Sequence, residues 1–250
     1  MRHHNSIFIL LLLFFNSCSV DEQINKPFNR KESLCLSSDI EYIPGYPLNR
    51  FEDEIYNYEK NLANSIEKQQ SKIIFFGSST MRFWNPYLKS NFKNLPIIGH
   101  GFGGSTFPEL IYYAPRLIFP YHPKLVVIYC ENDQFVTPSK STKQVKDDFC
   151  ALISFIHKKL PTTKILYIAM KHSPNRDFNW ENMNESNKLI KNLTKEFDFL
   201  HFIDLNSLLL NTNNQLDTSL FENDGVHLNE KAYKKWALTL TPILENLYDH

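Results

Sequence analysis

Five short apolar runs, separated by helix-length segments, constrain the fold of this chain more than any other feature. The runs are Lys72–Phe76, Leu95–Ile98, Leu125–Tyr129, Lys164–Ala169 and Phe199–Ile203. Runs that are apolar at nearly every position are typical of strands covered on both faces. Their alternation with helical segments predicts an α/β fold, a three-layer α/β/α sandwich around a mostly parallel, five-stranded sheet.

The segments between and around the runs show helical periodicity. Three of them are Ser141–Lys159, Trp180–Phe197 and Asn229–Leu247. Another helix is predicted before the first strand, because apolar residues recur there at three- and four-residue spacing, at Phe51, Ile55, Tyr58, Leu62 and Ile66. We therefore expect a polar tether or irregular arm over 18–50, a packing helix over 51–70 and the main domain over 71–250.

The N-terminus has the pattern of an export signal. A short, weakly basic start precedes the apolar run Ile7–Phe15, which is shorter than the roughly 20 residues that span a bilayer. The run leads to Asn16-Ser17-Cys18, which resembles a bacterial lipoprotein cleavage box. The resemblance implies a signal peptide over 1–17, acylation of Cys18, and a membrane-anchored lipoprotein in the periplasm or at the cell surface. An ordinary signal peptide with an incidental cysteine is the alternative, and a cytoplasmic protein is less favoured.

Charge and cysteine usage exclude some partners. Lys+Arg and Asp+Glu both total 27, so the formal net charge is zero and gives no reason to expect nucleic acid as a partner. The cysteines lack the paired spacing of a structural zinc site, and we expect no metal. Cys130 and Cys150 are predicted to be small buried apolar residues.

Glycine and serine follow the first two apolar runs. Ser79 lies in the segment 77–80 (Gly-Ser-Ser-Thr), where a turn from strand to helix would lift its hydroxyl out of the sheet. By itself this segment is more typical of a plain turn. The glycine-rich segment 99–106 would let backbone approach a ligand closely. A phosphate-binding loop is disfavoured there, because no Lys-Ser or Lys-Thr pair follows in the P-loop pattern.

Two further polar segments complete the pattern. Asn132 follows the third run, where its amide can donate to an oxyanion, although in isolation an Asx turn or a helix cap is the more typical role of such a residue. Near the C-terminus, Asp224 precedes His227 by three residues on a bend at Gly225. A carboxylate at this spacing can fix the imidazole tautomer and stabilise its protonated form, as in a Ser-His-Asp triad. The other central histidines lack such a neighbour.

In order along the chain, these four segments resemble the SGNH hydrolases, which are GDSL-like esterases. The resemblance covers roughly residues 72–247 and implies that 71–250 is an SGNH hydrolase domain with a flavodoxin-like sheet. It implies a set of roles: nucleophile Ser79, acid–base pair Asp224 and His227, and oxyanion donors from the Ser79 and Gly104 N–H groups and the Asn132 amide. Three residues depart from the family pattern, namely Ser78, Thr80 and Cys130.

The resemblance implies a serine esterase that needs no cofactor. A small-molecule or glycan ester, including acetyl esters of carbohydrates, is the first substrate class. A lipase or lysophospholipase activity and a non-catalytic glycan-binding lipoprotein remain as alternatives. A rim of aromatic residues would suit a sugar, and the candidates, which can equally be core, are Phe83, Trp84, Phe102, Phe107 and Trp180.

Overall fold

The computed structural model describes residues 47–63 and 72–249 of the chain. Strands and helices alternate in these ranges. The strands are β1 (Ile73–Gly77), β2 (Ile97–Gly101), β3 (Leu125–Tyr129), β4 (Lys164–Ile168) and β5 (Leu200–Ile203). The helices are α1 (Glu52–Ala63), α2 (Ser79–Asn91), α3 (Phe107–Leu117), α4 (Thr142–Lys159), α5 (Trp180–Leu193) and α6 (Glu230–Asp249). Short 3-10 helices lie in several of the connections.

The five strands are parallel and lie in the order β2-β1-β3-β4-β5. The chain therefore starts inside the sheet, moves to one edge and then crosses to build the other half. In sheets of this kind, ligands bind outside the carboxyl ends of the strands where the direction of winding reverses, here between β1 and β3. The predicted three-layer sandwich around a five-stranded sheet is confirmed.

The alternation of side chains along each strand produces two separate hydrophobic layers. Ile73 and Phe75 of β1 pack on the side of the sheet covered by α2 and α6. Ile74 and Phe76 pack on the opposite side, with apolar residues of α1, α3, α4 and α5. All four side chains are fully buried, because β1 is central and covered on both faces. This explains why β1 is apolar throughout instead of alternating with polar residues.

The predicted bounds of the second strand were wrong. The prediction placed a strand over Leu95–Ile98 and a turn at Gly99, but β2 runs from Ile97 to Gly101. Backbone pairing with β1 continues through the glycines, because ladder hydrogen bonds need no side chain. The packing of α2 on this strand also requires glycine, since a Cβ on Gly101 would lie 2.1 Å from the backbone nitrogen of Arg82.

Helix α1 packs the N-terminal segment, residues 47–63, against the main domain. Ile55 is fully buried, and Phe51 packs edge-to-face on Phe102 with ring centroids 5.1 Å apart. Arg116 of α3 pairs with Glu52 at 2.8 Å and with Glu59 at 2.7 Å. Helix α1 thus occupies the first part of the predicted range 51–70, and the remainder lies outside the described residues.

The structure describes the N-terminal part of the chain only from residue 47 onward. The predicted signal peptide over 1–17, Cys18 and most of the arm over 18–50 lie outside the described residues. Within 47–63 and 72–249, no helix combines the length and apolarity needed to cross a bilayer. Cys130 is a buried free thiol, as expected, whereas Cys150 is equally buried but takes part in a disulfide, which its sequence context did not predict.

Candidate active site

Ser79 is the first residue of α2, directly beyond the carboxyl end of β1. The turn that presents it depends on Gly77, which has a positive φ of 151°. A Cβ at Gly77 would lie 1.9 Å from the carbonyl oxygen of Tyr129 on β3, so only glycine fits. The next N–H, that of Ser78, donates to the same carbonyl at 3.0 Å. The chain therefore stays against β3 until the last residue of β1 and then bends sharply into α2.

The structure brings three of the predicted residues into one line of hydrogen bonds. His227 Nε2 lies 2.9 Å from Ser79 Oγ, although 148 positions separate the two residues in sequence. On the other side of the imidazole, Nδ1 lies 2.5 Å from Asp224 Oδ2. The carboxylate can only accept, so Nδ1 carries the proton and Nε2 is free to accept from the serine hydroxyl. This is the geometry of a nucleophile, a base and a group that orients the base.

Asp224 is held as a carboxylate by the turn that contains it. Partial burial raises the pKa of Asp224, but hydrogen bonds lower it by a larger amount, so that the pKa falls to about 2. The donors are the His227 side chain and the backbone N–H groups of Val226 (2.8 Å) and His227 (2.9 Å). Gly225 allows this tight turn with a φ of +63°. The Asp224–His227 pair is therefore assembled almost entirely within four consecutive residues.

Contacts from outside the turn fix its position over Ser79. The Asn175 side chain donates to the Asp224 carbonyl at 2.6 Å, and the Asn175 N–H donates to the Gly225 carbonyl at 3.0 Å. Phe83, one helical turn after Ser79, stacks on the His227 ring with centroids 4.4 Å apart. The imidazole is thus held between an aromatic face and the serine it contacts.

Three potential donors lie at the ends of the neighbouring strands. Ser79 N–H and Gly104 N–H donate to no acceptor within the part of the chain that the structure describes. Gly104 has a φ of +80°, a conformation that glycine adopts without strain. Asn132 Nδ2 donates to the Ser105 carbonyl at 3.0 Å, which uses one of its two hydrogens. Such N–H groups at strand ends can stabilise an oxyanion.

A buried group of charges lies beneath Asn132. Glu131 is 1% exposed and pairs with Lys171 at 3.0 Å and with Arg176 at 2.6 Å. Burial alone would raise the pKa of Glu131, but these two cations and the Tyr129 hydroxyl lower it overall. Arg176 Nη2 also donates to Asn132 Oδ1 at 3.4 Å, at the long end of the range. The amide of Asn132 is therefore oriented from both ends.

The aromatic residues expected at the rim divide into two groups. Trp84, Phe102 and Phe107 are completely buried, so of the two alternatives left open by the sequence, rim or core, these three belong to the core. Each fills the space between the sheet and a helix, which is where a large apolar side chain contributes most to stability. Phe83 is 38% exposed beside His227, and Trp180 is partly buried and stacks on His172.

No group of three or more His, Cys, Asp or Glu side chains within 47–63 and 72–249 is arranged to hold a metal ion. The site presents a serine hydroxyl, an imidazole, a carboxylate and several N–H donors.

Residues 73–235 match the GDSL-like Lipase/Acylhydrolase family, and this range contains every residue of the site described above. The chain belongs to this family. It is accordingly an ester-bond hydrolase, and the predicted SGNH-type family assignment is confirmed. No curated protein matches the sequence significantly.

Solved structures share the fold at low sequence identity. A protein from Streptococcus pneumonia, provisionally described as a platelet activating factor, superposes with a TM-score of 0.67 at 18% identity, covering 79% of this chain and 94% of that one. A GDSL-like lipase from Bacteroides thetaiotaomicron gives 0.64 at 16% identity, with coverages of 80% and 99%. A carbohydrate esterase family 3 protein from Talaromyces cellulolyticus gives 0.56 at 13%, with coverages of 72% and 99%.

Sequence reasoning missed the charged residues that support the site. Arg50 contacts the Gly104 carbonyl, and Arg176 contacts Asn132. Neither arginine lies in a recognisable motif, so the sequence offers no signal for them. Glu109, which binds Arg50, does carry one, because it follows Thr106 by three residues in the spacing of a helix capping box.

Proposed function

We propose that the chain is a serine esterase that hydrolyses O-acyl esters, with Ser79 as nucleophile, His227 as base and Asp224 as the group that orients it. The observation that carries this proposal is the continuous line of hydrogen bonds from Asp224 through His227 to Ser79 Oγ. A plain turn, which is the ordinary interpretation of residues 77–80, would give no reason for Ser79 to meet the Asp224–His227 turn.

In the proposed acylation step, His227 Nε2 accepts the Ser79 Oγ proton as Oγ bonds to the ester carbonyl carbon. The carbonyl oxygen becomes an oxyanion, which the Ser79 and Gly104 N–H groups and the Asn132 amide stabilise. When the carbon–oxygen bond to the alcohol breaks, the Nε2 proton passes to the departing alcohol oxygen. Water then attacks the acyl-serine by the same route and releases the carboxylic acid. Asp224 stays ionised throughout and stabilises the imidazolium.

For the substrate, we propose short-chain and acetyl esters, including those on carbohydrates. The shared fold with a carbohydrate esterase family 3 protein supports this class. Phe83 supports it as well, because its partly exposed ring beside His227 offers a flat apolar surface on which a sugar or a small acyl group can pack.

Hydrolysis of p-nitrophenyl acetate by wild type, Ser79→Ala and Ser78→Ala tests the proposal. Ser79→Ala should lose the activity while staying folded. Ser78→Ala is the matched control, because Ser78 Oγ is buried and has no hydrogen-bond partner among the described residues. Wild-type-like hydrolysis by Ser79→Ala would rule out the nucleophile assignment. Failure of a fluorophosphonate probe to label the wild type would favour a non-catalytic glycan-binding protein.

A panel of acyl esters from acetyl to decanoyl, run beside acetylated polysaccharides, tests the substrate class. We expect kcat/KM to fall as the acyl chain lengthens. A rise with chain length would instead favour the lipase or lysophospholipase alternative.

We also propose that the enzyme is exported and anchored to a membrane by acylation of Cys18. The support is the sequence pattern of residues 1–18 alone. Expression of the full chain in a bacterium fed labelled palmitate should give a labelled, membrane-associated protein. Cys18→Ser should abolish both properties, and label that persists in this variant would contradict the anchor site.

A further inference from the structure

We propose that Arg50, at the start of the N-terminal segment, is a positioning residue that holds the Gly104 turn in the conformation needed to stabilise the oxyanion. The inference rests on the proposed function. It also extends it, because Arg50 lies outside the 73–235 range that matches the family. It gives a role to the last residue of the predicted arm over 18–50, for which the sequence predicted no function.

The contacts of the Arg50 guanidinium connect two adjacent features of the main domain. Nη2 donates to the Gly104 carbonyl at 2.7 Å. Nε pairs with Glu109 Oε1, and Nη2 lies 3.1 Å from Glu109 Oε2. The planar fork of arginine can make these contacts simultaneously, which the single ammonium of a lysine cannot do with the same geometry.

The Gly104 carbonyl has few contacts, although its neighbours are held, Gly103 by the Glu54 carboxylate and the Ser105 carbonyl by Asn132 Nδ2. Glycine at a φ of +80° can leave this conformation easily, because no Cβ restricts its backbone. Within the described residues, Arg50 is the only donor to the Gly104 carbonyl, and the nearby bond from Ser105 N–H to the Phe102 carbonyl is long at 3.4 Å. Fixing the carbonyl restrains the rotations that would turn the Gly104 N–H away from the serine.

Glu109 makes the contact rigid from the other end. Its carboxylate is 1% exposed, and Oε2 also accepts from the Thr106 N–H at 2.8 Å and from Thr106 Oγ1 at 3.0 Å. The same carboxylate therefore binds Arg50 and Thr106, the N-cap residue of α3, which lies two positions after Gly104. A buried carboxylate of this kind needs a cation, and Arg50 supplies it.

Helix α1 and its surroundings keep Arg50 in place. The guanidinium carbon lies 4.3 Å from the centre of the Phe51 ring, which in turn packs on Phe102. Arg116 then joins α1 to α3 through Glu52 and Glu59, at a distance from the glycine turn. The chain thus offers a matched pair of arginines. Both connect the N-terminal segment to α3, but only Arg50 contacts Gly104.

The experiment compares Arg50→Met, Arg50→Lys and Arg116→Met with the full-length wild type, by kcat and KM for p-nitrophenyl acetate and by Tm. Arg50→Met should lower kcat by about 10- to 100-fold with KM within about twofold, somewhat less than the loss of an entire oxyanion donor. Arg50→Lys should be intermediate. Arg116→Met should keep kcat within about twofold of wild type, even if its Tm falls as far as that of Arg50→Met. Unchanged kcat in Arg50→Met, or an equal loss in Arg116→Met, would overturn the proposal.

A double variant keeps the test decisive if Arg50→Met folds poorly. Arg50→Met combined with Glu109→Gln removes the uncompensated buried charge together with its partner, so Tm should recover. The low kcat should remain, because the Gly104 carbonyl is still unrestrained. Recovery of kcat together with Tm would mean that Arg50 serves stability alone.

Hydrogen exchange separates this inference from the proposed function. Amide exchange in a peptide covering residues 101–106 should be faster in Arg50→Met than in wild type, and unchanged in Arg116→Met. Ser79→Ala, measured in parallel, reports on the nucleophile and does not depend on Arg50. If Ser79→Ala retains activity, the proposed function fails while the exchange result still decides the role of Arg50. Unchanged exchange in Arg50→Met overturns the inference even if the esterase is active.

Discussion

Asp224 and His227 lie three residues apart on one turn, whereas Gly104 and Asn132 follow different strands and are each contacted by an arginine distant in sequence. We refer to Asp224 and His227 as the acid–base side. The oxyanion side comprises Gly104, Asn132 and the charged residues that contact or support them, namely Arg50, Glu109, Glu131, Lys171 and Arg176. The first side is built from local hydrogen bonds, and the second depends on buried ion pairs between distant parts of the chain.

The carboxylates of the two sides differ in burial, and this difference predicts which variants lose stability as well as activity. The Asp224 side chain is 48% exposed, so its hydrogen bond with His227 contributes little to folding and its charge can be changed without unfolding the protein. Glu109 and Glu131 are each 1% exposed and depend on their cationic partners. Changes on the oxyanion side should therefore affect folding and catalysis together, whereas changes on the acid–base side should affect catalysis alone.

The largest expected effect lies on the acid–base side. Asp224→Asn should lower kcat by about 10²- to 10⁴-fold, because the amide no longer enforces the imidazole tautomer that accepts from Ser79. Its free energy of unfolding at pH 7 should stay within about 1 kcal/mol of wild type. Steady-state kinetics and urea denaturation of the same preparation measure both. A strongly destabilised Asp224→Asn would break the distinction between the two sides.

Glu131→Gln, unlike Asp224→Asn, should strongly lower the free energy of unfolding. Removing the carboxylate leaves Lys171 and Arg176 buried without their anion, which should cost about 3–5 kcal/mol of unfolding free energy. Urea denaturation checks the value, with Asp224→Asn as the exposed counterpart. If Glu131→Gln unfolds at the same urea concentration as wild type, the buried pairs do not stabilise this side of the site.

Asn132→Ala should affect catalysis with a smaller effect on folding than Glu131→Gln. Loss of one oxyanion donor typically lowers kcat by about 10²- to 10³-fold, with KM little changed. The pH dependence of the remaining activity should keep the shape of the wild-type profile, because the acid–base side is intact. A kcat within threefold of wild type would remove Asn132 from the set of donors.

The smallest effect concerns the response to acid of His100, a buried histidine on the strand that leads to Gly104. Burial lowers the pKa of His100, on β2 four residues before Gly104, to about 4, although the hydrogen bond to the Leu117 carbonyl opposes the shift. An unfolded histidine titrates near 6.5, so the unfolded chain binds more protons between these pH values and stability falls as pH is lowered through them.

The loss attributable to His100 should be on the order of 3 kcal/mol between pH 6.5 and 4. His100→Gln should remove this component, so its unfolding free energy should depend less on pH over the same interval. Urea denaturation at several pH values compares the two proteins. Parallel pH dependences in wild type and variant would show that burial of His100 does not contribute.

Much of the architecture could be predicted from local sequence. The apolar runs gave four of the five strands to within two residues, since central parallel strands are apolar on both faces. The second strand was misplaced because its ladder continues through Gly99 and Gly101, where no side-chain pattern reports the pairing. Helix α5 ends at Leu193 instead of the predicted Phe197, because helix ends depend on local capping more than on periodicity.

The sequence by itself determined the alternation of strands and helices, the serine turn after β1 and the Asp224–His227 turn, because each depends on residues within a few positions of one another. Only the tertiary structure decided that His227 meets Ser79, that three aromatic residues are core, and that Arg50 and Arg176 contact the Gly104 turn and Asn132. Those contacts join residues separated by 44 to 148 positions. The pairing of a buried carboxylate with a cation depends on where the chain places each charge in space, and the spacing of residues along the chain does not encode it.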